Sequence, residues 1–177
     1  MIATLKSSVG KMNDLLQRIA PTGEERILNP RAIELRGPLS SAIAAHQLRH
    51  EIRLSGDTSI VALADPDALE QVVGHLLHNA IDASPSGVPV TVRVDGDDEG
   101  ATVTITDEGA GMDADFVRNR LFQPFASTKP GGFGVGAFES KSLIAAMNGR
   151  LAVDSRPGRG SRFVITLPVP QPVRNIA

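Results

Sequence analysis

Cysteine, tryptophan and tyrosine are all missing from the 177 residues, so six phenylalanines make up the whole aromatic content of 3%. Without cysteine there is no disulfide, no thiolate zinc site and no cysteine nucleophile, a composition that agrees with a reducing compartment. Net charge is also small: 18 basic against 20 acidic residues give −2. Scarce aromatics and no overall basic character disfavour a general nucleic-acid binder. No apolar run approaches the roughly 18 residues of a membrane span, and Lys6 and Lys11 interrupt the N-terminal apolar positions that a signal peptide would keep continuous. A soluble, cytoplasmic chain that makes no membrane contact of its own is expected, either free-standing or as the cytoplasmic part of a membrane-bound sensor. What is present is a 41% hydrophobic and 21% charged composition, enough to bury the core of one domain and incompatible with disorder or collagen.

At the N-terminus, Ile2, Leu5, Val9, Met12, Leu16 and Ile19 are spaced alternately by three and four, the apolar seam of a coiled coil or helical hairpin. The seam stops at Pro21 and Gly23. A lone helix of this length is marginal in water, so residues 1–22 either pair with a second copy, making a homodimer through 1–19, or end a longer element. Packing on the domain's own core is the third alternative. Residues 23–170 then form the main domain, and the proline-rich end, 171–177, a tail. Strands are expected at 32–35, 51–54 and 59–63, with an amphipathic stretch over 39–49. Asp65 followed by Pro66 is a helix start, a side-chain cap before a ring already set to helical φ, for a helix over 66–84. Apolar and polar residues alternate over 88–94 and 101–106 about a Gly- and Asp-rich turn, which predicts an antiparallel pair. A helix over about 137–147 and a hairpin from 151–153 to 163–167 complete the pattern. Strand runs broken by helices that do not alternate one for one indicate an α+β layer with a mostly antiparallel sheet. There is no internal repeat and no low-complexity segment.

Three stretches carry chemistry. Along the helix over 66–84, stepping about 100° per residue, Leu69, Val72, Val73, Leu76, Leu77, Ala80 and Ile81 share one broad side. Gln71, His75, His78, Asn79 and Asp82 gather on the other. Solvated helix faces carry Lys, Glu and Arg, whereas this one offers imidazoles, an amide and a carboxylate, short groups suited to a nearby ligand. The alternatives are an ordinary exposed face, or a zinc site from His75, His78 and Asp82, for which one helix face supplies poor tetrahedral geometry. Next, Asp107 ends a strand and is followed by Gly109, Ala110, Gly111 and Met112. A strong acceptor at the sheet's edge, beside glycines that let a flat ligand approach the backbone, suits a base with an exocyclic amine; a plain hairpin turn is the competing account. With Ala114 the spacing is also GxGxxA, but the parallel βαβ setting and downstream acid of the dinucleotide fingerprint are missing. Third, residues 116–138 hold five of the six phenylalanines with Lys129, Gly131, Gly132, Gly134 and Gly136. A cation and bare amides just before a helix read as a phosphate-covering lid. No P-loop sequence occurs anywhere.

In this order the stretches resemble the catalytic and ATP-binding domain of sensor histidine kinases, within the superfamily of gyrase B, Hsp90 and MutL. The resemblance covers residues 30–168. His75 to Ala83 is similar to the family's asparagine box, Asp107 to Gly111 to its first glycine box, Leu121 to Lys129 to its phenylalanine box, and Gly132 to Gly136 to its second glycine box. Gly158 to Phe163 resembles the closing Gly-x-Gly-Thr-x-Phe pattern, with Ser161 in place of threonine. The run Val135 to Ser140 is similar to sensor kinases of exosortase and exopolysaccharide systems. What the resemblance implies is a Bergerat-type ATP-binding fold: a two-layer α/β sandwich whose mixed, mostly antiparallel sheet is covered on one face by helices. It implies ATP and Mg²⁺ as cofactors. Asn79 would hold the metal through its amide oxygen, with His75, His78 and Asp82 near the phosphates. Asp107 would accept from the adenine amine, with Gly109, Gly111 and Met112 beside it. Lys129, Thr128 and the amides of Gly132, Gly134, Val135 and Gly136 would steady the β- and γ-phosphates, and Phe122 and Phe125 would pin the lid. Asn79, His75 and Lys129 would be the catalytic group.

The implied partners are a phosphoacceptor helical hairpin domain, which residues 1–19 would end, and a response regulator receiver domain. The string His50, Glu51, Ile52, Arg53 resembles an acceptor motif, but it lies 29 residues before Asn79 and leads into Ser55, Gly56 and Asp57. It is expected to be an edge strand, with the true acceptor outside this chain. Two rival functions remain: an ATPase or serine kinase of the same superfamily, against which His75 stands where such enzymes carry Glu, and a non-catalytic regulatory module.

Overall fold

The computed structural model describes residues 27–97, 100–127 and 134–170. The expected helix over 1–22, the tail 171–177, and Thr128, Lys129 and Gly132 therefore lie outside the described residues.

The order along the chain is β1 (Arg31–Glu34), α1 (Arg36–Ala44), β2 (Ile52–Gly56), β3 (Val61–Ala64), α2 (Pro66–Ala83), β4 (Val90–Gly96), β5 (Ala101–Asp107), α3 (Ala114–Asn119), α4 (Gly136–Ala146), β6 (Arg150–Ser155) and β7 (Ser161–Leu167). Five strands form one sheet in the order β2-β4-β5-β7-β6, and β1 pairs with β3 in a small separate sheet. In the large sheet β2 runs parallel to β4 while the other neighbours are antiparallel. The mixed, mostly antiparallel α+β arrangement expected from the sequence is the one observed.

Period-two burial shows why the sheet has a single covered face. In β4, Val90, Val92 and Val94 are buried while Thr91, Arg93 and Asp95 are exposed, and β7 repeats this with Phe163, Ile165 and Leu167. The covering layer is α2 with α1 and α4 beside it. Leu69, Val72, Val73, Leu76 and Leu77 are fully buried, and each apolar side chain removed from water contributes about 1.5–3 kcal/mol. That stripe fixes the roll of α2 about its axis, so its polar side must face away from the sheet. The start of α2 is set as its sequence demands: Asp65 Oδ1 accepts the N–H groups of Asp67 and Ala68 at 3.1 and 3.0 Å, and Oδ2 accepts that of Asn29 at 3.0 Å.

Several boundaries differ from expectation. The amphipathic stretch begins earlier, as a helix over Arg36–Ala44, because Pro38 falls in its first turn, where a missing N–H costs nothing. The short helix α3 overlaps the start of the stretch that reads as one continuous lid. Its signals are Asp113, which caps Asp115 N–H at 2.8 Å, and Arg118 in the last turn. His50 sits just ahead of edge strand β2 and its Nε2–H donates to the Val88 carbonyl at 2.7 Å. Among the described residues no helix is long and apolar enough to cross a membrane.

Candidate functional site

The polar side of α2 is divided between two neighbours. Toward α4, Gln71 Nε2 donates to Glu139 Oε1 at 2.7 Å, and His75 Nδ1 lies 3.9 Å from Glu139 Oε2. Along the same helix His78 Nδ1 lies 3.4 Å from Asp82 Oδ2, and toward α1 the His78 ring meets His46 edge-on with centroids 6.3 Å apart. His46 follows α1 and bonds to the backbone of Gly74; burial first, then the nearby His78 and Arg49, hold its imidazole below the ordinary value. His78 is thus turned toward α1, away from the Gln71, His75 and Glu139 group. Glu139 was not among the residues selected from sequence; its signal was an acid in the first turn of a helix, where it meets the positive end of the backbone dipole. Asn79 is half-buried on the same helix. Among the described residues no group of three or more His, Cys, Asp or Glu side chains is arranged to hold a metal, which removes the zinc alternative there.

Asp107 ends β5 with 3% of its surface exposed, and its Oδ1 accepts the Gly109 N–H at 2.9 Å. The glycine turn that follows is gripped from two sides. A Cβ on Gly109 would lie 2.2 Å from the Ala83 carbonyl oxygen, so only a bare backbone lets this turn rest against the last residue of α2. On the opposite side Gly111, at φ +65°, faces the Arg156 carbonyl, Gly158 N–H donates to Ala110 at 2.7 Å, and Met112 N–H donates to Ser155 Oγ at 2.8 Å. The sheet's acidic strand end is thereby fastened to the C-terminal end of α2.

The second glycine stretch reaches α2 from above. Gly134 has φ +65°, and a Cβ there would come within 2.5 Å of the Ala126 backbone; the chain folds back on the phenylalanine segment only because that atom is missing. Gly136 then opens α4 with its Cβ position 3.8 Å from the His75 ring. Val135 is the N-cap and provides no side-chain cap, so this helix begins beside His75 with its positive dipole end uncapped by a side chain. Phe122 packs against the core and carries Lys141 Nζ 4.7 Å from its ring centroid. Phe125 does not share that seat. It is 61% exposed at φ +65°, so of the two rings expected to pin the segment only Phe122 is anchored.

The acidic strand end, through Gly109, and the start of α4, through Gly136, therefore both rest against α2, at Ala83 and at His75. Residues 64–171 match the family described as histidine kinase-, DNA gyrase B-, and HSP90-like ATPase, and the chain belongs to that family. Among curated proteins it is similar to sporulation kinase E of Bacillus subtilis (strain 168), 38% identical over 108 residues that cover 60% of this chain and 14% of that protein. It is also similar to the sensor protein GacS of Pseudomonas syringae pv. syringae, 36% identical over 143 residues, 75% of this chain and 16% of GacS. The chain thus spans about a sixth or less of the length of these relatives. Among solved structures, full-length ShkA in complex with AMPPNP superposes with a TM-score of 0.79 at 23% identity, over 97% of this chain and 38% of that one. That likeness establishes the fold, a mostly antiparallel sheet with helices on one face.

Proposed function

We propose that this chain is the ATP-binding catalytic domain of a two-component sensor histidine kinase, transferring the γ-phosphate of ATP to a histidine on a separate helical hairpin domain for relay to a response regulator receiver domain. The observation that carries this is the double seating on α2: Gly109 against Ala83 at one point and Gly136 against His75 at another. A base beside Asp107 and a triphosphate at the start of α4 then lie along a single helix side. ShkA, which shares the fold, was solved with the ATP analogue AMPPNP.

In this mechanism the Asp107 carboxylate accepts from the adenine amine, and the turn through Gly109, Gly111 and Met112 lies beside the ring. The amides of Gly134, Val135 and Gly136, together with Thr128, Lys129 and Gly132, donate to the β- and γ-phosphates. His75 and Asn79 face those phosphates from α2. Phosphoryl transfer asks little covalent chemistry of the protein, so positioning and charge stabilisation supply the rate. The Asn79 amide oxygen, with the Asp82 carboxylate one turn on, is a hard-oxygen set that fits Mg²⁺, which keeps most of its ligands as water and phosphate oxygen. When bound, the metal neutralises phosphate charge.

Calorimetric titration of Mg-ATP tests the site. Asp107→Asn replaces an acceptor by a donor facing the base amine, and a loss of about 1–3 kcal/mol, roughly tenfold or more in Kd, is expected. Unchanged affinity would remove Asp107 from the base-recognising role.

A further inference from the structure

We propose that Ser155 is a positioning residue that sets the base-recognising loop, an inference that rests on the ATP reading above. Ser155 ends β6 and is half-buried. Its hydroxyl stands at the meeting of three chain segments: it accepts the Met112 N–H at 2.8 Å, reaches the Gly160 carbonyl at 3.0 Å and lies 3.0 Å from Ser161 Oγ. A hydroxyl has one proton to give and two lone pairs to receive. All three contacts are met at once when Met112 and Ser161 donate to Ser155 and Ser155 donates to Gly160. No capacity is left over, so the geometry of the three segments is fixed relative to one another.

Each segment touches Asp107. Ser161 is its register partner across the β5–β7 ladder. Gly160 passes so close that a Cβ there would collide with the Asp107 carbonyl oxygen. Met112 closes the glycine turn that Asp107 opens, and the turn is pinned at its first half by Asp107 Oδ1 and Gly109 N–H, 2.9 Å apart. Ser155 supplies the matching pin at the far end. Without its hydroxyl the Met112 N–H loses its partner, and the far half of the turn keeps the Gly158 N–H bond to the Ala110 carbonyl but loses its anchor at Met112. The floor on which a base would lie then moves relative to the Asp107 carboxylate. Among the described residues the Ser155 hydroxyl bonds to Met112, Gly160 and Ser161 and not to α4, so the effect is expected on the base rather than on the phosphates.

The test compares Mg-ATP with inorganic tripolyphosphate as ligands for the wild type, Ser155→Ala and Ser155→Thr, with thermal midpoints recorded alongside. Ser155→Ala is expected to weaken ATP by about five- to tenfold, the equivalent of one lost hydrogen bond, and to leave tripolyphosphate affinity unchanged. Ser155→Thr, which keeps the hydroxyl, restores ATP affinity. Should Ser155→Ala not fold, Ser155→Cys replaces it, its weak acceptor predicting a smaller loss in the same ATP-specific pattern. ATP affinity insensitive to Ser155→Ala but sensitive to Asp107→Asn overturns the positioning role alone. An equal loss on both ligands also overturns it, by showing general structural damage. A wild type that binds no ATP overturns the functional reading and this inference with it.

Discussion

His46 is the titratable side chain whose surroundings most clearly oppose its charge. Its Nδ1 is buried with no hydrogen bond among the described residues, and a proton there would face His78 across 6.3 Å of ring separation as well as Arg49. Burial is the larger cause, and the bond to the Gly74 backbone opposes it only in part. The folded protein therefore binds this proton less readily than the unfolded chain does. Stability from the neutral imidazole is complete above the ordinary histidine value of 6.5 and is lost as the pH falls below it toward the lowered folded value. Thermal midpoints measured from pH 7.5 down to about 5.5 should decline, and His46→Gln should flatten that decline. An identical slope in the variant would assign the acid sensitivity to other groups. Because His46 joins the turn after α1 to α2, the loss should appear as weakened α1–α2 packing, visible as faster amide exchange in α1 before the sheet opens.

At the scale of elements, two glycines of the second glycine stretch predict different responses to alanine. Gly134→Ala places a Cβ at φ +65° within 2.5 Å of the Ala126 backbone, and the left-handed conformation alone costs about 1–2 kcal/mol for a residue with a side chain. Gly136→Ala meets only ordinary contact with the His75 ring at 3.8 Å, and at the start of α4 it should change stability by no more than about 0.5 kcal/mol. Urea unfolding of the two variants checks this, and equal destabilisation would mean that the Gly134 turn is not the tight point. The same contrast shows what a linear sequence can and cannot convey. The helix α2 was legible to within a residue, since Asp65, Pro66 and a 3.6-period stripe are local signals. The six-residue helix α3 was not, because glycines and phenylalanines nearby outweigh one aspartate cap. The parallel pairing of β2 with β4 depends on residues 38 positions apart, as in Ile52 against Val90, and no local pattern encodes it. For the site, the polar residues of α2 were legible as a set. Which of them turn toward α4 and which, like His78, toward α1 is decided by where those helices dock. Likewise Phe122 and Phe125 are equivalent as text, and only the backbone at Phe125 sends that ring outward.

For the whole molecule, the decisive question is whether the chain can accept the phosphoryl group that it is proposed to donate. It contains four histidines, and all four lie in described positions. His46 packs on Gly74 and His78, and His78 pairs with Asp82. His50 donates its Nε2–H to the Val88 carbonyl at the sheet edge, on neither α2 nor α4. His75 lies beneath Gly136 and beside Glu139, within the same wall that would hold the phosphates, whereas an acceptor must approach the γ-phosphate in line from the side opposite its leaving oxygen. None of the four is an exposed nucleophile on a separate helix facing that wall. Incubation of the chain with Mg-ATP should consequently leave its intact mass unchanged, while a supplied helical hairpin domain bearing an acceptor histidine gains one phosphoryl group. The linkage is diagnostic: a phosphate on this chain that is labile to acid, stable to base and lost in His50→Gln would show that the sheet edge opens to present His50, and the division of donor and acceptor between domains would fail.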